Sequence, residues 1–389
     1  MDIFTLHTPT DVIFGKNALS KLKTMDLSVK KALIVTSENT TLNRYNHLDK
    51  VIKTLESLDI KYIIFDEIEG VLFSDTLNKG ATVARDFSCD FVIGLGSQKT
   101  IDAAKLIATL VHQDDFAIKE IFKVGKIQKS LPSALEVIAI PTNFKLEASL
   151  NSTVHLYRQV YQDIAILHHK ALTPTLTIVD PYFIEEIDIM LTQYESIDTL
   201  AKALSIIIHQ KHPVHTLYAK EALEYVIDGL LAFSKHPTDQ EAKEHLQYAA
   251  LLLALASDEL ENSPLVKLQN TFMSLNPTLP QGVLLREFLV PYLKVMNTNQ
   301  IAQSNIASLN GLFEVDVVGY SLKEQVDIFI QHIDDLLDRV MQKEHHLRKY
   351  DIDQAHINDY VHHFKVLYPE FSILNDDELY MFFEDALVK

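Results

Sequence analysis

Five short apolar runs in the first half of the chain constrain its fold more than any other feature. They are Ala32-Leu33-Ile34-Val35-Thr36, Tyr62-Ile63-Ile64-Phe65, Asp90 to Ile93, Val137-Ile138-Ala139-Ile140 and Leu176-Thr177-Ile178-Val179. None shows a polar–apolar alternation, so each reads as a strand buried on both faces. Segments with helical spacing separate the first three, such as Leu48, Val51, Ile52, Leu55 and Leu58. Continuous apolar strands joined by helices predict an α/β domain with a Rossmann-like parallel sheet covered on both sides. Ligands of such sheets bind at the carboxyl ends of the strands.

The second half is of a different kind. From about Pro181 onward no convincing strand is legible. Residues 240–260, QEAKEHLQYAALLLALASDEL, carry a long helical pattern. Residues 325–343 place apolar side chains at Val326, Phe329, Ile330, Ile333, Leu336, Leu337 and Val340. Steps of three and four residues mark a helix with one core-facing side. The boundary falls near residues 181–195. The expected organisation is an α/β domain over 1–185 and an all-helical domain over 186–389.

Composition narrows the function classes. A chain of 389 residues with 47% hydrophobic residues is long enough for two cores. The formal net charge of −18 repels a phosphate backbone, which argues against nucleic acid as the main partner. No run of 18 apolar residues occurs, so no membrane span is expected. The N-terminus, MDIFTLHTPTDVIFG, lacks a basic segment followed by an apolar stretch, so a signal peptide is not expected either. Cys89 is the only cysteine, which excludes an intrachain disulfide and cysteine-based zinc spacing. A cytoplasmic location fits these features.

The stretch GLGSQKTIDAAK, residues 94–105, follows the run Phe91-Val92-Ile93 and opens a helical pattern. That is the place of a phosphate-binding loop. Missing side chains let the backbone approach a pyrophosphate, and the helix N-terminus attracts its charge. Gly94, Gly96, Ser97, Gln98, Lys99 and Asp102 are the candidate dinucleotide contacts. Gln98 adds bulk where close approach is needed. Asp102 has a second reading, as a favourable charge in the first helical turn.

Several stretches, taken in order, resemble the iron-dependent (group III) alcohol dehydrogenase family, which shares its fold with glycerol dehydrogenase and dehydroquinate synthase. Pro9-Thr10-Asp11-Val12-Ile13-Phe14-Gly15 is similar to its N-terminal strand signature. Residues 96–105 are similar to the loop GGGKTxDxAK. Ala139-Ile140-Pro141-Thr142 resembles the start of the PTTxGTGSE loop, and Thr177-Ile178-Val179-Asp180-Pro181 the strand ending in DP. Ile197-Asp198-Thr199-Leu200 resembles the MDAL of the metal-binding helix. Pro280-Gln281-Gly282-Val283, Pro291 and Asn297 follow the PHGV…LP…N region. Tyr368-Pro369-Glu370-Phe371 resembles the C-terminal segment.

The resemblance implies an NAD(P)-linked oxidoreductase that forms homodimers. Its N-terminal domain would bind NAD or NADP, and its helical domain would carry iron or zinc. Thr142, Asn143 and Ser37 join the candidate cofactor contacts. Ser37 lies where NAD is told from NADP and is neither acidic nor basic. In the family one aspartate and three histidines hold the metal, which lowers the pKa of the alcohol so that a hydride can leave. Asp198 matches the aspartate and is the only retained ligand position. Lys202, Lys267 and Gln281 stand where histidines are expected; a register shifted by one residue gives Leu268 and Gly282 for the last two. No histidine occurs between His245 and His332, so two ligands are missing in either register. Lysine is a cation without a lone pair and repels a metal.

The expectation is a lost metal site, with no iron or zinc, and ordinary alcohol oxidation absent. Asp198, Lys202 and Lys267 would then line a metal-independent reaction site, or form a salt-bridge cluster in an abandoned one. The second loop departs further: Asn143-Phe144-Lys145-Leu146-Glu147-Ala148-Ser149 replaces its small residues. The alternative function is a catalytically inactive family member that acts as a binding or structural homodimer. A lyase or cyclase activity of the dehydroquinate synthase type ranks last, because that chemistry also uses the metal.

His209, His212 and His215 recur every third residue. Pro213 interrupts them, so they read as surface histidines of a loop. His168-His169 and His345-His346 are adjacent and point apart, which makes poor metal pairs.

Overall fold

The apolar runs of the first half form the centre of one parallel sheet in the computed structural model. The structure describes residues 6, 8–24, 30–37, 46–70, 72–112, 134–158, 161, 163–276, 279–341, 347, 352 and 354–387. The chain divides into two units, Met1–Ile187 and Asp188–Lys389.

In the first unit the strands are β1 (Asp11–Phe14), β2 (Lys31–Val35), β3 (Lys61–Phe65), β4 (Phe91–Gly96), β5 (Glu136–Pro141), β6 (Thr153–Arg158), β7 (Asp163–His168) and β8 (Leu176–Val179). Six of them pair in parallel in the order β1-β8-β5-β4-β2-β3. Helices α1 (His47–Glu56), α2 (Ser74–Phe87) and α3 (Gln98–Leu110) follow β2, β3 and β4. All residues of β4 are buried, as its place inside the sheet requires.

Alternate side chains of the strands feed two cores. Leu33, Val35 and Val92 pack with Leu77, Ala81, Ala103 and Ile107 of α2 and α3. Ala32, Ile34, Ile93 and Ile138 pack with Val51 and Leu55 of α1 and with Leu19 and Leu22. The sheet is therefore covered on both faces, as expected. From β2 the chain steps outward to β3 and then crosses to β4 on the other side of β2. That reversal puts the topological switch point at the carboxyl ends of β2 and β4.

The antiparallel hairpin of β6 and β7 was not anticipated from the sequence. Val154 and Leu156 turn into the first core with Ala165 and Leu167, while His155 is half-buried.

The second unit is helical among its described residues. Its helices are α4 (Ile189–His209), α5 (Pro213–Lys235), α6 (Gln240–Leu255), α7 (Pro264–Leu275), α8 (Gln281–Met296), α9 (Gln300–Ala307), α10 (Leu322–Val340), α11 (Ile357–Leu367) and α12 (Asp376–Leu387). Every residue of α4 from Glu195 to Ile208 is buried, so α4 is the central helix. Its start is fixed by Asp188, whose carboxylate accepts from Met190 N (2.8 Å) and Leu191 N (3.1 Å). Helix α10 buries all seven of the apolar positions read from its spacing. A capping box of Ser321 and Glu324 starts it. The 240–260 pattern is shorter than expected: α6 ends at Leu255, and a separate helical turn, Ser257–Asn262, follows.

The histidine stretch also differs from expectation. Pro213 opens α5 rather than interrupting a loop, because a proline in the first helical position gives up an N–H that has no helical acceptor. His212 caps that helix by accepting from His215 N at 3.3 Å. His212 and His215 are buried, with rings stacked at 4.0 Å, and His209 is the last residue of α4. His212 and His215 are core histidines and His209 is half-buried, so the three are not the surface loop expected. The pair His345-His346 lies outside the described residues.

Candidate functional site

At the end of β4, Gly96 adopts φ +151°, a conformation that favours glycine. A Cβ there would also lie 2.8 Å from Thr100 Oγ1. Gly94 serves a different purpose. A Cβ on it would meet Ala104 Cβ at 3.0 Å, so its absence lets α3 pack close to the strand. Ser97 precedes α3 in extended conformation and is exposed, as is Lys99. The side chain of Lys99 donates to Gly70 O. Gln98 is half-buried, with Nε2 3.5 Å from His155 Nδ1. The strand thus passes to the helix through a glycine at positive φ, with Gln98 turned to the β6–β7 hairpin.

Asp102 is in the second turn of α3, not the first; the first turn has no acidic residue. It is buried, and its Oδ2 accepts from His155 N at 3.3 Å. Its Oδ1 lies 3.6 Å from Lys105 Nζ. Burial pushes the Asp102 carboxyl up to about 6 and the Lys105 ammonium down to about 8, each opposed by the partner's charge.

The loop after β5 runs beside this junction. Thr142 N donates to Gly96 O at 3.1 Å. Asn143 is buried, and Phe144 and Leu146 are 1% and 0% exposed. Leu146 thus puts a large apolar side chain where the resembled loop has threonine. At the end of β2, Thr36 Oγ1 donates to Leu95 O at 3.0 Å, and Ser37 forms an isolated bridge with Glu67.

In the helical unit, Asp198 and Lys202 lie one turn apart on α4. Lys202 Nζ is 2.6 Å from Asp198 Oδ2. The carboxylate is 1% exposed, and its Oδ1 accepts from Gln269 Nε2 of α7 at 3.3 Å. Lys267 sets its ammonium 4.5 Å from the ring centroid of Tyr368 and 5.5 Å from that of Phe371. Lys267 and Gln269 face about 200° apart on α7, and it is Gln269 that reaches Asp198. Gln281 begins α8, and its buried Oε1 has no hydrogen-bond partner among the described residues. Gly282 brings that helix start against α4, because a Cβ would fall 2.3 Å from Tyr194 Cα.

The polar line of α4 continues below Lys202. Ser205 Oγ is 2.5 Å from Ser263 Oγ and 3.5 Å from Tyr292 Oη. His209 Nε2 is 2.9 Å from the same hydroxyl. Burial pushes the Tyr292 hydroxyl above its ordinary range and His209 down to about 4, the latter helped by Lys211. Gln269, Ser205 and Tyr292 were missed in the sequence. The signal was the spacing of Asp198, Lys202, Ser205 and His209, a polar stripe on one face of an apolar helix.

At the positions that the resemblance assigns to a metal, the donor set suits a divalent cation poorly. A carboxylate and an amide can ligate one, but two of the four positions carry ammonium groups, and one of these already contacts the carboxylate. The dinucleotide positions fit better: Gly96, Ser97 and Lys99 would hold its phosphates at the α3 N-terminus.

A doubly covered parallel sheet with a glycine–helix junction at its switch point is followed by a helical unit. The family model for iron-containing alcohol dehydrogenase matches residues 9–181. The chain is 28% identical over 260 residues to the NADPH-dependent butanol dehydrogenase of Clostridium saccharobutylicum; the match covers 65% of this chain. It spans 63% of that relative, less than two thirds of its length. The crystal structure of a 1,3-propanediol oxidoreductase superposes with a TM-score of 0.86 at 20% identity, over 99% of this chain and all of that one. The NADH-dependent butanol dehydrogenase A of Thermotoga maritima gives 0.83 at 18% identity, over 100% of this chain and 99% of its own. Over residues 9–181 the chain resembles the iron-containing alcohol dehydrogenase family, and its fold is that of these solved structures.

Proposed function

We propose that this chain is an NAD(P)-linked oxidoreductase of altered, metal-independent type, and that it does not carry out the metal-dependent alcohol oxidation of its family. The observation that carries this reading is the 2.6 Å contact of Lys202 Nζ with Asp198 Oδ2. An ammonium stands one helical turn from the family's aspartate, where a histidine would hold the metal. A bound NAD(P)H would supply a hydride to a carbonyl compound. Lys202 would supply a fixed positive charge and a proton donor for the resulting alkoxide, with Asp198 and Gln269 orienting it. Lys267, held over Tyr368 and Phe371 on the other side of α7 from Gln269, has no part in that step. Gly96, Ser97, Lys99, Thr142, Asn143 and Ser37 are assigned to the cofactor.

Calorimetric titration of metal-stripped protein with NADH and NADPH tests the reading. Micromolar binding, on the order of −8 kcal/mol, and carbonyl-dependent oxidation of the reduced cofactor without added metal are expected. A rate that appears only with Fe²⁺ or Zn²⁺ would overturn it.

The second reading is a catalytically inactive homodimer. The burial of Phe144 and Leu146 and the Gln98–His155 contact favour it. It predicts no heat with millimolar nucleotide, and a dimer on sedimentation analysis.

A further inference from the structure

Residues 147–153 follow the second cofactor loop and form a single helical turn, Glu147–Leu150, with the lead into β6. A turn so short leaves carbonyls without helical partners. Here buried side chains from three other elements take them. Lys105 Nζ, on α3, donates to Ala148 O at 2.9 Å and to Thr153 O at 2.5 Å, with Asn151 Oδ1 at 3.4 Å. Thr177 Oγ1, on β8, donates to Ser149 O. Thr10 Oγ1, just before β1, donates to Leu150 O at 3.2 Å and to Pro174 O at 2.8 Å.

Lys105 is the only cation in this set and is 0% exposed. Burying a lysine ammonium costs several kcal/mol unless charge and hydrogen bonds compensate. The compensation is present: three acceptors from one segment, and the Asp102 carboxylate one turn away. Asp102 in turn accepts from the backbone of His155, on the strand that the segment leads into. One ion pair on α3 thus grips the segment at its turn and at its strand.

We propose that Lys105, held by Asp102, is a positioning residue that fixes the backbone of residues 147–153. Through it, Lys105 sets Thr142 and Asn143 beside Gly96. The second half of this statement rests on the dinucleotide reading above. The loop buries Phe144 and Leu146, and the segment after it is clamped through its carbonyls. Lys105 touches neither cofactor nor substrate in this assignment.

Hydrogen–deuterium exchange and NADPH titration on the full chain decide it, with Lys105→Met and Asp102→Asn as variants. Asp102→Asn keeps an acceptor for His155 N but removes the counter-charge, so it serves if Lys105→Met fails to fold. At least tenfold faster exchange is expected for amides of residues 147–155, with β2 and β4 unchanged, and at least tenfold weaker NADPH binding. Faster exchange spread evenly over the unit, or none at all, would reduce Lys105 to an ordinary core residue and overturn the proposal. A wild-type chain that binds no dinucleotide would remove the cofactor reading, while the exchange pattern still decides whether Lys105 fixes the turn.

Discussion

Lys202 and Asp198, one turn apart on α4, form an ion pair with a 2.6 Å contact at a carboxylate that is 1% exposed. A histidine at the same position would offer a lone pair to a metal. Lysine offers a charge of its own, and the consequences for stability are measurable.

Replacing Lys202 by Met leaves the buried Asp198 charge without this partner. Losing one member of a buried pair is expected to cost about 3 kcal/mol. The double variant Asp198→Leu/Lys202→Met is expected to cost less than the single one, because no charge remains buried. Urea denaturation of the three proteins gives the comparison. A Lys202→Met protein as stable as wild type would show that the pair holds nothing together.

At the start of α8, Gly282 tolerates no side chain, because its Cβ would overlap the Tyr194 backbone. Gly282→Ala is expected to destabilise the helical unit by about 1–3 kcal/mol and to lower the thermal midpoint. An unchanged midpoint would mean that α8 shifts away from α4 freely.

Gln98 is the residue that most departs from a phosphate loop. Gln98→Gly removes its bulk and its contact with His155. NADPH affinity is expected to rise about tenfold, or about 1.4 kcal/mol. Equal affinity in wild type and variant would show that Gln98 does not obstruct the junction.

His209 has its pKa lowered from 6.5 to about 4 by burial and by Lys211. The unfolded chain therefore binds the proton more readily. The stability tied to neutral His209 is complete above pH 6.5 and is lost as pH falls toward 4. His47, also lowered to about 4, adds to the same slope, while Asp102, raised to about 6, opposes it. Comparing wild type with His209→Gln between pH 4 and 7 cancels both of the others. The variant is expected to lose less stability on acidification, and parallel curves would rule His209 out as the source.

The sheet was legible because its strands are buried on both faces and read as unbroken apolar runs. The hairpin was not, although Thr153-Val154-His155-Leu156 alternates with period two. Four alternating residues beside His and Tyr carry little signal without the partner strand. The histidines at 209, 212 and 215 misled for a physical reason: Pro213 ends a helix when interior but starts one when first. The Asp198–Lys202 neighbourhood followed from the resemblance of residues 197–200 to the MDAL segment, with the four-residue step placing Lys202 on the same helix face. Gln269 did not, because it comes from another helix and only packing brings the two together.

The sheet order also governs when the first unit can assemble. β8 lies between β5 and β1, so among the described residues the first strand of the sheet pairs with the last. As the chain emerges from the ribosome, β1 waits for Leu176–Val179, its partner among the described residues. Contacts this distant in sequence close slowly, and until they do an unpaired edge stays open to wrong partners. The first unit should therefore become resistant to protease late in synthesis and abruptly.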